Sequence, residues 1–320
     1  MPSPVALFVY NRADNTRATL RALLNNTLAA QTDLYVFSDG GKDEKSWAEV
    51  NAVRAVLHEV EEEVARTHSL LSMTIVERPV NYYLERNIIE GIGEVLARHE
   101  TIIVLEDDIV TSPYFLQFMN DAFSLYRDDP HVMHVSGFTR IEGVITDFIG
   151  DNTFYFTPFM AGWGWGTWRD RWQQHFRHYA SRAEALQGLT LQDMEVLEYG
   201  GNFPCLKHLD RDPIPWDICW GIAIHRAKGL CLYPAHTLVR NIGLDAGTHF
   251  RGFPIPMRWI QHFEYDREPY PQPLSLAYQE PHVDPRIESA LAAALHDWGI
   301  RYTLLGKLLR YLKRINQLTN

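Results

Sequence analysis

A short apolar segment followed at once by three carboxylates constrains this 320-residue chain most strongly. Residues 101–105 are rich in β-branched side chains and predict a buried strand, and Glu106, Asp107 and Asp108 come directly after it. Adjacent anions repel one another and lose solvation where they are partly buried, so a bound cation would relieve the conflict. Carboxylate oxygens suit Mg²⁺ or Mn²⁺. The alternative is an acidic turn in which Asp107 or Asp108 caps the next helix.

Predicted strands and helices alternate through the first half of the chain. Apolar runs predict strands at residues 5–10, 34–37, 73–76, 102–105 and 131–135. Segments with a helical spacing of apolar residues lie between these runs. Such alternation is typical of βαβ units and predicts an α/β fold with a mostly parallel sheet flanked by helices. The acidic triplet would then lie at the carboxyl edge of the sheet, where open α/β proteins bind ligands.

The boundaries of the helices are predicted from their end signals. Ser46 and Glu49 have the spacing of a capping box, which predicts that the second helix begins at Ser46. A Gly-x-Gly-x-x-Gly pattern does not follow the first predicted strand, and a Gly-Lys-Ser/Thr loop is absent from the sequence. A nucleotide site here would therefore be neither of the dinucleotide-binding nor of the P-loop kind.

Composition excludes several classes of protein. A hydrophobic content of 46% is enough for a large core and excludes global disorder. The net charge of −10 argues against nucleic-acid binding, which needs a basic surface, but allows one nucleotide held through a metal. Cys205, Cys219 and Cys231 are odd in number and form no Cys-x-x-Cys pair, which predicts a reducing compartment. With neither a signal peptide nor an apolar stretch of about 20 residues, the sequence predicts a cytoplasmic protein.

The second half is rich in aromatic residues and predicts an acceptor region. Trp163, Trp165 and Trp168 alternate with glycines, and they are either core residues or an apolar floor on which a sugar ring stacks. Residues 162–168, 215–220 and 241–249 are predicted to be site-forming loops. The predicted organisation is one catalytic domain over residues 1–253, with a nucleotide-binding half (1–140) and an acceptor half (141–253). A Pro-rich strap and a C-terminal amphipathic helix follow over residues 254–320.

The motifs at the strand ends, taken in order, resemble a known enzyme family. They are Tyr10-Asn11-Arg12 after the first strand, Ser38-Asp39-Gly40 after the second, the acidic triplet after the fourth, the Trp/Gly segment 162–168, Trp216-Asp217, and Gly247-Thr248-His249. This set resembles the metal-dependent GT-A glycosyltransferases, in particular the N-acetylglucosaminyltransferase I type and similar bacterial sugar transferases. The resemblance covers roughly residues 4–250 and depends on the order of the motifs, because each short motif alone is common.

The resemblance implies a role for each matching residue. Asp108 would bind Mn²⁺ or Mg²⁺, with Glu106 and Asp107 supporting the site and contacting the ribose or sugar of the donor. Asp39 would accept a hydrogen bond from the nucleobase, Arg12 would lie along the nucleotide, and Asp217 would be the catalytic base. A single base opposite the leaving group would invert the configuration at the sugar C1.

Four further residues are candidates with an ordinary structural alternative. Arg86 could reach a donor phosphate, although the bulky Tyr82 and Tyr83 beside it depart from the family pattern. Trp163 and Trp165 are candidates for donor contact, and His249 for a metal or diphosphate ligand. The alternatives are core packing for the tryptophans and an ordinary loop position for the histidine. Asp39 could equally shape a turn before two glycines, and Asp217 could cap a helix.

The C-terminal segment predicts a basic amphipathic helix. Within residues 301–320 a leucine-rich face alternates with Lys307, Arg310, Lys313 and Arg314. Such a helix either packs on the catalytic domain or lies on an anionic membrane surface.

The predicted function is transfer of a sugar from a nucleotide diphosphate, with UDP as the expected nucleotide, to a glycan or lipid-linked glycan. A bacterial surface polysaccharide, lipopolysaccharide or glycolipid pathway is the expected setting, at the inner face of the membrane. Two other classes fit the metal site and the α/β sheet: a sugar nucleotidyltransferase and a non-catalytic glycan-binding protein of the same fold.

Overall fold

Ten strands are present in the described part of the chain, which in this computed structural model comprises residues 1–149, 153–243 and 267–295. They are β1 (Val5–Val9), β2 (Asp33–Ser38), β3 (Ser72–Glu77), β4 (Thr101–Glu106), β5 (Ile109–Thr111), β6 (Val132–Ser136), β7 (Phe154–Thr157), β8 (Trp165–Trp168), β9 (Leu230–Pro234) and β10 (Val239–Asn241). Eight of them form one sheet in the order β3-β2-β1-β4-β8-β6-β9-β7, and β10 pairs with β5 in a second, small sheet.

Helices connect these strands and cover the sheet. The α-helices are α1 (Ala13–Leu24), α2 (Glu44–Thr67), α3 (Tyr83–Leu96), α4 (Phe115–Leu125), α5 (Glu142–Ile149), α6 (Arg169–His175), α7 (Arg182–Leu186), α8 (Leu191–Leu197) and α9 (Trp216–Arg226). Short 3₁₀ helices occupy Ala29–Gln31 and Cys205–Asp210. No helix among the described residues has both the length and the apolar character needed to cross a bilayer.

The predicted α/β architecture is confirmed. Strands β3, β2, β1 and β4 are parallel to one another. Strand β8 then runs antiparallel between β4 and β6, while β9 is parallel to β6 and antiparallel to β7. The sheet therefore contains strands from both predicted halves of the catalytic domain, and its purely parallel part carries the nucleotide-binding motifs.

Strand β1 shows why the sheet is buried on both faces. Val5, Leu7 and Val9 belong to the core cluster that includes apolar residues of α1 and α2. Ala6 and Phe8 point the other way, into the cluster that includes α3. Because helices cover both faces, every β1 residue is buried, as the uninterrupted apolar run predicts.

The start of α2 differs from the prediction. The N-cap is Asp43, whose carboxylate accepts the backbone N–H of Ser46 at 2.8 Å, and Ser46 is the third helical residue. Asp43 and Ser46 have the same three-residue spacing and lie three residues earlier, so the predicted capping box from Ser46 to Glu49 is wrong. Glu49 instead accepts a hydrogen bond from the side chain of Asn11 at 2.5 Å.

The Trp/Gly segment predicted to be a loop contains strand β8. Trp165 has no exposed surface, and its ring stacks on Trp216 and on His134, each with a centroid separation of 5.2 Å. Burial lowers the pKa of His134 to about 3, so this imidazole is neutral in the core. The segment is a strand because Trp165 and Trp168 fill the sheet between β4 and β6.

The described part of the predicted strap lies on the catalytic domain. The N–H of Tyr270 donates to the carbonyl of Thr237 at 2.8 Å, and the hydroxyl of Ser112 donates to the carbonyl of Tyr270 at 2.6 Å. Residues 285–295 are helical, and three apolar side chains there are buried: Ile287, Leu291 and Leu295. The basic segment 301–320 lies outside the described residues.

Candidate active site

The acidic triplet lies at the carboxyl edge of the parallel strands. Glu106 ends β4, and Phe8 of β1 is its partner in the parallel ladder. The segment after β1 therefore runs beside the triplet, and Arg12, at the N-cap of α1, faces it. This adjacency follows from the parallel pairing of β1 and β4, because parallel neighbours end at the same edge of a sheet.

Arg12 bridges the two aspartates of the triplet. Its Nη2 donates to Oδ1 of Asp107 and its Nε lies 3.4 Å from Oδ2 of the same residue, while Nη1 donates to Oδ2 of Asp108 at 2.9 Å. The Asp107 side chain is almost completely buried, and that of Asp108 is 13% exposed. These contacts of the Arg12 guanidinium are with the carboxylates of the triplet, beside which the nucleotide is predicted to lie.

One guanidinium does not neutralise three carboxylates. Burial raises the pKa of Glu106 well above its ordinary value, and the charges of Asp108 and Asp107 raise it further. Burial also raises the pKa of Asp107, although Arg12 opposes the shift. The site is thus an electrostatic environment in which an additional cation would be stabilised.

The donor set fits a divalent cation that completes its coordination with a substrate. Carboxylate oxygens are hard ligands, and Mg²⁺ is often held by one or two carboxylates together with substrate phosphates and water. Among the described residues, no group of three His, Cys, Asp or Glu side chains is arranged to hold a metal ion by protein ligands alone. His249, the other predicted ligand, lies outside the described residues.

Asp39 joins the loops that follow β2 and β3. Its Oδ1 accepts the backbone N–H of Gly40 at 2.9 Å and that of Tyr82 at 2.7 Å. The two loops pack so closely that a Cβ on Gly40 would lie 2.4 Å from the carbonyl carbon of Val80. Burial raises the pKa of Asp39, and these hydrogen bonds oppose the shift. The turn-shaping role of Asp39 is therefore present, and the backbone N–H of Tyr83 adds to it, because it also lowers the pKa of this carboxylate.

Tyrosines and cations lie around this edge of the sheet. One of the cations, Lys42, was not indicated by any sequence motif. Lys42 Nζ lies 4.7 Å from the ring centroid of Tyr83 and 5.7 Å from that of Tyr10. Tyr83 has a φ of +59°, a rare conformation for a residue with a side chain and one often found at functional sites. Arg86 stacks on Tyr82 at 3.7 Å and is exposed, which places it at the rim of the site.

Asp217 comes from the second half of the chain and lies close enough to the triplet for its charge to act on Glu106. It lies in the first turn of α9 and is partly buried. After burial and the two aspartates of the triplet, Asp217 is a further carboxylate whose charge raises the pKa of Glu106. It also adds to the effect of burial in raising the pKa of Glu85, which His178 and Arg211 oppose. Glu85, in the first turn of α3, is a half-buried carboxylate near Asp217 that no sequence motif indicated.

The predicted tryptophans differ in their access to this site. Trp163 is partly buried and packs edge-on against Phe138 at 4.8 Å. Trp165 is completely buried, so its ring cannot form the predicted floor for a sugar. It supports α9 instead, because it stacks on Trp216, the residue before Asp217. Core packing, the alternative noted for these tryptophans, describes Trp165.

Sequence comparison assigns the chain to a family. The model of the GNT-I family matches residues 1–179, which is more than half of the chain and includes the acidic triplet. The chain belongs to the GNT-I family. The protein is accordingly a glycosyltransferase of the GT-A type, as the order of its motifs predicts, and the alternatives of a nucleotidyltransferase and a non-catalytic binding protein are not supported. No curated protein matches the sequence significantly.

Solved structures give distant likenesses to this GNT-I family member. The mannosyltransferase PcManGT from Pyrobaculum calidifontis, solved with GDP-Man and Mn²⁺, is 15% identical with a TM-score of 0.39, over 82% of this chain and 81% of its own. Residues 1–349 of TarS from S. aureus, solved with UDP, are 11% identical with a TM-score of 0.37, over 64% of this chain and 56% of that one. Both likenesses are too distant to assign a donor or a metal to this protein.

The family match also divides the site of this transferase. Arg12, Asp39 and the triplet lie within the matched residues. Asp217 lies beyond them.

Replacing Arg12 by Gln should destabilise the protein measurably. The change leaves Asp107 and Asp108 without their cationic partner, and a buried charged group without its partner costs about 1–3 kcal/mol. The double variant R12Q/D107N should regain part of this loss, because it removes the anion that Arg12 serves. Urea unfolding at neutral pH measures both changes.

The matched control is Arg17→Gln on the same helix. Arg17 pairs with Glu59 at the exposed surface, where ion pairs contribute little, so its replacement should leave the unfolding midpoint nearly unchanged. Equal effects of R12Q and R17Q would contradict the importance of the Arg12 pairs.

Proposed function

We propose that this GNT-I family member transfers a sugar from a UDP-sugar to a hydroxyl group of a glycan or glycolipid, using Mn²⁺ or Mg²⁺. The observation that carries the proposal is an acidic triplet whose charge Arg12 offsets only in part, with Asp217 of α9 close enough for its charge to act on Glu106. A site for an anionic donor through a metal thus lies beside a carboxylate that can accept a proton.

The hydrogen bonds of Asp39 support uridine as the nucleoside. Oδ1 accepts two backbone N–H groups, which uses both of its lone pairs, so Oδ2 is the oxygen that can accept a proton donor from a base. Uracil offers a single imide N–H. Guanine offers two adjacent donors, which a carboxylate would meet with both oxygens. Because Oδ1 of Asp39 is already used in the turn, its carboxylate suits the single donor of uracil better than the two donors of guanine.

The residues of the site divide the chemistry between them. Asp217 would accept the proton of the acceptor hydroxyl as that oxygen bonds to C1 of the sugar. The bond from C1 to the diphosphate oxygen breaks in the same step, and the configuration at C1 is inverted. Asp108 would hold the divalent cation, which supplies charge neutralisation for the leaving diphosphate. Glu106 and Asp107 would support Asp108 and contact the donor's ribose or sugar.

Asp39→Asn should separate the two roles of Asp39. An amide whose oxygen replaces Oδ1 still accepts the N–H groups of Gly40 and Tyr82, but its NH₂ group cannot accept the imide N–H of uracil. We expect a near-normal melting temperature and an affinity for UDP, in the presence of Mn²⁺, that falls about tenfold or more. Isothermal titration calorimetry with UDP, and with GDP as the comparison, measures this.

The control for this change is Asp39→Ala, which should lose both the turn and the affinity and should melt earlier. Binding of UDP to D39N with the wild-type affinity would show that Asp39 serves the turn only. Titrations in EDTA and with Asp108→Ala should abolish binding. Tighter binding of GDP than of UDP would contradict the assignment of the nucleoside.

Asp217→Asn should remove catalysis without removing the donor. Loss of a general base lowers kcat by about 10²–10⁴-fold, while UDP binding with Mn²⁺ should be unchanged. Asp210→Asn, an exposed carboxylate before the same helix, is the control and should be fully active. A UDP-hexose or UDP-N-acetylhexosamine that the wild type turns over is the substrate for both. An NMR spectrum of the product that shows a retained anomeric configuration would exclude this role.

We further propose that the protein acts in the cytoplasm, at the inner face of a bacterial membrane, in the synthesis of a surface polysaccharide or lipopolysaccharide. The basic and leucine-rich sequence of residues 301–320 supports a contact with anionic lipids. The three cysteines are free thiols, which agrees with a reducing compartment.

Deletion of residues 301–320 should abolish binding to vesicles that contain anionic lipid, because it removes the basic flank that the headgroups attract. Cosedimentation with such vesicles, and with zwitterionic vesicles as the control, measures the effect. An unchanged distribution of the truncated protein would rule out this contact.

A further inference from the structure

A late segment of the chain returns to the acidic triplet. Strand β10 pairs antiparallel with β5, the strand directly after the triplet, so that Asn241 lies opposite Ile109. The pairing continues one residue further, because the N–H of Ile242 donates to the carbonyl of Asp108 at 2.8 Å. The backbone of the predicted metal ligand is thus held by a segment more than a hundred residues away in the sequence.

Gly243, the next residue, touches the ion pair itself. A Cβ at this position would lie 1.9 Å from Oδ2 of Asp108 and 2.6 Å from Nη1 of Arg12. Those two atoms are the ones that form the 2.9 Å contact between Arg12 and Asp108. The N–H of Gly243 donates to Oδ1 of Asn241 at 2.8 Å, which fixes the glycine in this position.

We propose that Gly243 is a positioning residue for Asp108, whose backbone covers one side of the Arg12–Asp108 ion pair and thereby determines where the carboxylate points. Arg12 and Gly243 both lie against Oδ2, so Oδ1 is the oxygen that they leave to a cation. The metal role of Asp108 rests on the function proposed above, whereas the contact of Gly243 with the ion pair does not.

The surroundings of Gly243 distinguish this role from simple packing. A glycine kept for packing alone would meet core side chains or backbone, whereas the nearest atoms here belong to Asp108 and Arg12, both polar residues of the site. A side chain at 243 would be accommodated most easily by rotation of Asp108, because that carboxylate is partly exposed and Ile242 still holds its backbone. The expected consequence is a displaced ligand in a folded protein.

Gly243→Ala tests the proposal, with Gly93→Ala as the matched control. A Cβ on Gly93 would meet no atom within 4 Å. We expect G243A to remain folded but to melt below the wild type, because Asp108 loses its contact with Arg12. Its affinity for Mn²⁺ and for UDP with Mn²⁺ should fall at least about tenfold, the effect of losing one charge-assisted contact. Titration of Mn²⁺ followed by electron paramagnetic resonance measures the metal separately from any activity. G93A should bind both as the wild type does.

A crystal structure of G243A without ligands decides the geometry independently of the function. The expected structure retains the hydrogen bond from Ile242 to the carbonyl of Asp108 and shows the Asp108 carboxylate moved away from Arg12. An unchanged Arg12–Asp108 pair, or unchanged metal affinity, would overturn the proposal. If the wild type binds neither Mn²⁺ nor UDP, the proposed function fails, and the crystal structure still decides the role of Gly243.

Asn241→Ala is the second variant if G243A does not fold. It removes the acceptor of the Gly243 N–H without adding an atom at the ion pair. We expect N241A to lose Mn²⁺ affinity as well, by a smaller factor than G243A. Wild-type affinity in folded N241A would count against the proposal.

Discussion

The pairing of one guanidinium with two adjacent carboxylates is the interaction on which the carboxyl edge of the parallel strands depends. Arg12 follows β1 and the aspartates follow β4, so the ion pairs link the ends of two neighbouring parallel strands. The hydroxyl of Thr19 also donates to the carbonyl of Asp107 at 3.0 Å, which holds the same turn against α1. Three carboxylates nevertheless exceed one guanidinium, and the fold retains a negative centre suited to a cation.

The other residues of the proposed site are positioned by elements outside the two loops that carry Arg12 and the triplet. The first turn of α9 is supported by the stack of Trp165 on Trp216, so a fully buried aromatic core places Asp217 toward the triplet. Strand β10 brings Gly243 against the other side of Asp108. The proposed donor residues therefore follow strands of the large sheet, whereas Asp217 and Gly243 come from α9 and from the end of the small β5–β10 sheet.

The sequence predicts the first half of this fold well and the second half poorly. Buried parallel strands and amphipathic helices each have a clear hydrophobic period, so five strands could be read from residues 1–140, and each of them is present. Residues 162–168 look like a loop because they alternate glycine with tryptophan, yet β8 fills the sheet there. The start of α2 was predicted wrongly, because Asp43 and Ser46 have the same capping-box spacing as Ser46 and Glu49.

The sequence by itself determines the kind of fold and the triplet at the strand end, because both follow from local patterns of apolar and acidic residues. The tertiary structure alone decides which distant residues reach the triplet. Gly243 carries no motif, since the role of a missing side chain depends on what other segments place beside it. Trp165 shows the converse: its sequence context suggests a ligand contact, and only the pairing of β8 with β4 and β6 makes it core.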